Sequence, residues 1–303
     1  MSEEKGKGKY HLLLCLLVVL WGLEFSVAKD ALNSVDTFMI LNFKYFLGMI
    51  VIGCICLKKK DMGLPEIRDL PFIIAATILG HIVYFYCEYY ALKCNVPVTN
   101  ISVLYGFLPV GTVIIEKIIF KRSVSLKLIV SMLVCIVGII LTIGVDLSSL
   151  TEGKGIGYVM VLCALGAWLA YLFLTEDTTN KYGALRIAFY QTFIAWALTI
   201  PAMIPHIPEF ASLDHKVFLE MIYLGIVSEG LCFLIEVTGI EKLGSTISAV
   251  YSNFLPVTSA FFGMVLLGQD LVILQYIGGV TVITAGIFII REKDRLDGID
   301  RLK

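Results

Sequence analysis

The sequence contains no H-E-x-x-H, no G-x-S-x-G and no paired spacing of metal ligands, so the constellations that support intramembrane hydrolysis or metal catalysis are missing. This argues against an enzyme, a cofactor or a bound metal; His81 with Glu88 is too little for a metal site. Eight cysteines are scattered along apolar stretches without zinc-ligand or disulfide-framework spacing, and they read as small packing residues without chemistry. Material for a soluble domain is also lacking, because ten hydrophobic runs account for nearly the whole chain.

What is present is hydrophobic: 58% of residues are apolar and the mean hydropathy is +0.87, more than a soluble globular chain usually carries. A bilayer core about 30 Å thick needs roughly 20 apolar residues per helix. The ten runs lie at 10–28, 37–57, 71–92, 97–120, 124–145, 155–174, 185–204, 217–236, 247–267 and 271–290. The chain therefore reads as an all-α, multi-pass integral protein of the cytoplasmic membrane. The first run follows Lys5, Lys7 and Lys9 like a signal peptide, but it is long and has no small-residue cleavage site, so it reads as a retained span.

A net charge of -1 hides an asymmetry. With ten spans and an inner N-terminus, the outer loops hold Lys29, Lys93, Lys154 and Lys216, while clusters such as Lys58 to Lys60, Lys121 with Arg122, and Arg291 with Lys293 fall inside. Both termini are thus expected in the cytoplasm. These clusters read as topology signals rather than as nucleic-acid or lipid-headgroup sites.

The stretch from His81 to Pro109 recurs, altered, from Glu229 to Pro256. Shifted by about 148 positions, His81 falls on Glu229 and Glu88 on Glu236; shifted by about 147, Trp21 falls on Trp168 and Lys44 on Gln191. The chain divides into two related units, 1–147 and 148–303, each with five spans. Because five is odd, the second unit enters the membrane from the opposite side, giving an inverted repeat with a site expected near the midplane.

Candidate site residues follow from intramembrane polarity. Glu24, Glu88, Glu229 and Glu236 would cost about 2.5 to 3.5 kcal/mol each in hydrocarbon, on the order of 10 kcal/mol together, so they require water, pairing or protonation. Lys44 is the evident partner, and it is expected to point into the bundle. His81, Tyr84 and Glu88 share a stripe; His81 fits equally a helix-to-helix hydrogen-bond network with no ligand. Glu116 and Lys117, near a span end, are expected to snorkel. Glu24, Glu88, Glu229, Glu236, His81 and Lys44 are the candidates for proton coupling. Substrate contacts are expected from Glu88, Glu236 and Glu24, with Gln191, Asn253 and the aromatic faces of Trp21, Tyr84, Trp168, Tyr171 and Tyr251, which attract organic cations by roughly 0.5 to 2 kcal/mol each. The aromatics fit plain space-filling as well.

Several signatures then coincide: Trp21-Gly22 in the first span, the Ala91-Leu92-Lys93 turn, Pro109-Val110 repeated as Pro256-Val257, and the closing run from Leu274 to Ile290. On these the chain resembles the drug/metabolite transporter superfamily, in particular its EamA-type branch. The resemblance implies a ten-helix transporter that moves small organic molecules by alternating access, commonly outward, with peripheral fifth and tenth helices. Two departures stand out. Gln269, beside Asp270, replaces an acid that relatives often carry, and Glu24 occupies a position more often small or polar, much as in the four-helix multidrug members. The expected substrate is an organic cation or amine exchanged for protons; the alternative is export of neutral or aromatic amino acids or related metabolites. A phosphate-bearing substrate would want several intramembrane bases. The expected partners are a small-molecule substrate, protons and the lipid bilayer, with no nucleic acid, in a monomer or a homodimer.

Overall fold

The computed structural model describes residues 2–96, 101, 104–143, 155–258, 261–262 and 272–300. Most of them are helical, with no strand among the described residues. Among the described residues, seven helices are long and apolar enough to cross a bilayer. Thr99, Ser102, Gln269 and Asp270 lie outside the described residues.

The chain forms two compact units that cut across the sequence halves, one of Met1–Val96 with Lys154–Gly244, the other of Pro97–Gly153 with Ser245–Lys303. The first unit contains α1 (Ser2–Ala31), α2 (Thr37–Lys59), α3 (Leu70–Lys93), α6 (Gly155–Tyr182), α7 (Ala184–Met203), a 3-10 segment (Ile204–Ser212) and α8 (His215–Leu243). Local chemistry sets several boundaries. The Asp36 side chain accepts from the Phe38 amide at 2.8 Å and starts α2, and Asp214 accepts from the His215 amide at 2.8 Å and starts α8. Gly183 alone separates α6 from α7 at φ +84°, a conformation that a side chain would strain.

Packing in this unit follows the repeat. α1 lies against α8 as α6 lies against α3, and α2 packs on α8 as α7 packs on α3. Each half thus supplies equivalent surfaces to the same bundle.

The second unit contains α4 (Leu108–Ile118), α5 (Leu126–Ile143), α9 (Ser245–Ser252) and α10 (Ile273–Asp300). Its core joins Leu128, Met132, Cys135 and Ile139 of α5 to Val282, Ala285 and Ile289 of α10. Gly138 and Gly278 let the two backbones touch, since a β-carbon at Gly278 would meet the Thr142 amide nitrogen and the Gly138 carbonyl. Val130, Leu133, Val134 and Val137 of α5 and Val280, Ile283 and Ile287 of α10 turn outward, the arrangement a lipid-facing surface requires.

α10 continues past Ile290 to Asp300 because its extra turns are pinned by polar contacts. Asp300 accepts from the Ser123 amide at 2.7 Å and from its hydroxyl at 2.6 Å, and Glu292 accepts from Ser125 at 2.6 Å. The snorkelling expected of Glu116 is not found. Its carboxylate is buried between Arg122 Nη1 at 2.6 Å and Lys293 Nζ at 2.8 Å, and Lys293 also reaches Asp297 at 2.6 Å. Two cations, one of them buried, fix the acid in protein more strongly than lipid headgroups could draw it out.

Two consequences are measurable as thermal stability in detergent. Gly278→Val should destabilise the protein by about 1 to 3 kcal/mol, because backbone cannot yield to the added carbons, whereas Gly166→Ala, with open space at its β-carbon, should be neutral or slightly stabilising. Lys293→Met should cost about 3 to 5 kcal/mol by stripping a buried carboxylate of a partner, and most of that loss should return when Glu116→Gln is added.

Candidate functional site

α3 and α8 do not remain regular. Each widens into a π-helical stretch, Ile78–Val83 in α3 and Tyr223–Cys232 in α8. Displaced by about 148 positions the two stretches overlap, with His81 inside one and Glu229 inside the other. Such widenings shift the side-chain register by a residue and are frequent at functional sites. Glycines make room beside them. A β-carbon at Gly80 would overlap the Tyr171 ring, and one at Gly48 would overlap the Glu229 side chain.

A chain of charge crosses the bundle at this level. Lys44 Nζ on α2 lies 2.6 Å from Glu24 Oε1 on α1 and 3.8 Å from Glu229 Oε2 on α8. His81 Nε2 on α3 lies 3.2 Å from Glu229 Oε1, to which the Thr192 hydroxyl of α7 donates at 3.3 Å. The Tyr45 hydroxyl donates to the His81 carbonyl, and the Lys44 ammonium sits 3.6 Å from the centre of the Phe85 ring. Lys44, His81 and Glu229 are each 1% exposed. As expected, Lys44 points inward and its partner is an acid. Here five residues of the first half, Glu24, Lys44, Tyr45, His81 and Phe85, meet Thr192 and Glu229 of the second.

An aromatic column runs beside this chain. Trp21 meets Trp168 edge-on at 6.3 Å between ring centres, and Trp168 lies 4.5 Å from Tyr84 and 4.6 Å from Tyr171. Tyr171 continues to His81 at 6.3 Å, and Phe233 closes on His81 at 4.5 Å. At the flank of the column Glu236 is 1% exposed, and its Oε1 has no hydrogen-bond partner among the described residues. Gln191 donates from Nε2 to the Thr175 hydroxyl at 3.0 Å, while its Oε1 and the Tyr171 hydroxyl make no hydrogen bond among the described residues. Glu88 is also buried.

The first unit therefore brings together Trp21, Glu24, Lys44, His81, Tyr84, Glu88, Trp168, Tyr171, Gln191, Glu229 and Glu236. The remaining two candidates belong to the second unit, where Asn253 Nδ2 donates to Cys135 Sγ at 3.5 Å and Tyr251 packs on Phe254 at 5.6 Å. Sequence reasoning missed Tyr45, Phe85, Thr175, Thr192 and Phe233. One signal was available: Phe85 and Phe233 are 148 positions apart, and each follows its ionisable residue by four.

Ion pairs fasten this unit at both ends. At the Lys59 end of α2, Arg186 Nη2 reaches Asp61 at 2.5 Å. There Lys181, with Tyr182, hydrogen-bonds Asp69 and holds its carboxyl below the usual range. At the Thr37 end, Lys216 pairs with Asp30, and Asp36 lies 3.7 Å from Lys93 and 3.5 Å from His206. Pairs as exposed as these are worth about 0 to 1 kcal/mol each, so they bias the two ends without locking them.

The model of the EamA-like transporter family matches residues 8–144 and again residues 155–291. An uncharacterized transporter of Archaeoglobus fulgidus is 23% identical over 290 residues, 94% of this chain and 99% of that protein. A probable amino-acid metabolite efflux pump of Salmonella typhimurium is 21% identical, over 91% of this chain and 93% of its own length. An S-adenosylmethionine/S-adenosylhomocysteine transporter of Chlamydia muridarum is 20% identical, over 85% and 84% respectively. A solved crystal structure superposes with a TM-score of 0.74 at 16% identity, over 93% of this chain and 97% of that one. With two family matches that together cover most of a multi-pass, all-helical membrane chain, this protein belongs to the EamA-like transporter family.

Proposed function

We propose that this transporter exchanges an organic cation, or an amine-bearing metabolite or drug, for protons by alternating access between ten spans arranged as an inverted repeat. The observation that supports this reading is the unequal treatment of the buried acids. Glu24 and Glu229 are answered by Lys44, with His81 beside Glu229, whereas Glu236 is buried with an open oxygen beside an aromatic column. A carboxyl in that setting is served either by a proton or by a cation, and alternation between the two is antiport. Aromatic faces add attraction for the cation. Ion pairs at both ends of the unit, weak singly, suit ends that open in turn. One relative's named solute, S-adenosylmethionine, carries a sulfonium cation.

The reading as an amino-acid exporter draws support from the name of the Salmonella relative. It needs a cation for the substrate carboxylate, yet Lys44 is held by Glu24 at 2.6 Å. Lys44 is better understood as a fixed counter-ion.

In proteoliposomes carrying a pH gradient, organic-cation transport should be saturable and gradient-driven, and Glu236→Gln should reduce it by about two orders of magnitude, the order of a lost charged contact of roughly 3 kcal/mol. Unchanged transport and an unchanged pH profile in both Glu236→Gln and Glu88→Gln would refute the acidic-site reading. Lys44→Met should lower stability by about 3 to 5 kcal/mol, and adding Glu24→Gln should recover most of it together with measurable cation transport. Recovery of the fold without any cation transport would instead favour a substrate carboxylate on Lys44.

A further inference from the structure

The two halves place different residues at equivalent positions. In the first half Lys44 carries a primary ammonium to Glu24 Oε1 at 2.6 Å and over the face of Phe85 at 3.6 Å. About 147 positions on, Gln191 stands in place of Lys44 and Tyr171 in place of Glu24; about 148 positions on, Phe233 repeats Phe85 and Glu236 repeats Glu88. The second half thus keeps the acid and the ring but has glutamine where the first has its lysine.

Three of that half's unpartnered buried acceptors belong to this place. Glu236 Oε1, Gln191 Oε1 and the Tyr171 hydroxyl make no hydrogen bond among the described residues, and their residues are 0 to 1% exposed. They share one neighbourhood. The Gln191 amide is bonded to Thr175, one turn along α6 from Tyr171, and the Tyr171 ring lies 6.3 Å from that of Phe233, one turn along α8 from Glu236. A primary ammonium offers three N–H donors; a quaternary ammonium offers none.

We propose that Glu236, Gln191 and Tyr171 seat the primary ammonium group of the transported solute, whose carbon body lies along Trp168 and Tyr84. This rests on the organic-cation reading and narrows it to solutes with an unmethylated amine. The seat is the counterpart of the Lys44 pocket, and the solute supplies what the sequence omits.

The test uses the purified full-length protein and tryptophan fluorescence titrations with butylamine, 2-phenylethylamine and the N,N,N-trimethyl form of each. The primary amines should bind at least about tenfold more tightly than their trimethylated forms, the loss expected for even one charge-assisted hydrogen bond. Gln191→Leu should narrow that ratio. Gln191→Lys should place a tethered ammonium in the seat, abolishing amine binding while leaving the melting temperature unchanged or higher. Trimethylated ligands binding as well as primary ones would overturn this inference and leave the organic-cation reading intact. Binding of none of the four would overturn both. Because the ligand comparison is made on the unaltered chain, a variant that fails to fold does not decide the matter.

Discussion

A charge within a bilayer has to be answered within the protein, and in this chain the answer is Lys44. Its ammonium neutralises Glu24 directly and lies 3.8 Å from Glu229, which in turn has His81 at 3.2 Å. Those contacts tie α1, α2, α3 and α8 together at one level, and Thr192 adds α7. Isolated ions in hydrocarbon each cost several kcal/mol, so the helices that carry them have little freedom to separate. The geometry of the aromatic column depends on this restraint, because His81 connects the charge chain to Tyr171 and Phe233.

The paired π-helical stretches show how two matching halves can hold different chemistry at equivalent places. Both α3 and α8 carry the widening, so it belongs to the shared scaffold rather than to either residue it presents. One copy presents an imidazole and the other a carboxylate, and across the bundle these two become partners. A repeat of identical halves would set acid against acid. Divergence at 81 and 229 converts a repulsion into a contact, and divergence at 44 and 191 leaves one half with a built-in cation and the other without.

Much of this was legible in the sequence, for reasons that differ by feature. Membrane spans are written in hydrophobic length, which the bilayer reads directly, and the six long helices of the first unit fall where the apolar runs place them. The inward turn of Lys44 followed from the cost of the alternative. Glu116 was misread because its partners, Arg122 and Lys293, are 6 and 177 positions away, and only folding shows that the extended α10 returns to the α4–α5 link. The interleaving of the halves into two compact units was illegible too, since hydropathy reports depth in the membrane but not which spans are neighbours. The π widenings leave no compositional mark beyond glycine, a residue with many other uses.

On the proposed function, stability and ligand recognition meet at Glu236. A domain holds roughly 5 to 15 kcal/mol of net stability, and an unanswered buried polar group costs about 1 to 3 kcal/mol of it. The bundle can carry one open carboxyl of this kind because Glu24 and Glu229 are already compensated; leaving all three open would consume most of the margin. A carrier benefits from such an opening. A site that is fully satisfied when empty gives a ligand nothing to complete, whereas one left short by a single donor group gains free energy when the donor arrives, and that gain is available to shift the balance between conformations. The lysine of the first half thus supports the fold and, by relieving its neighbours, leaves the second half free to remain incomplete.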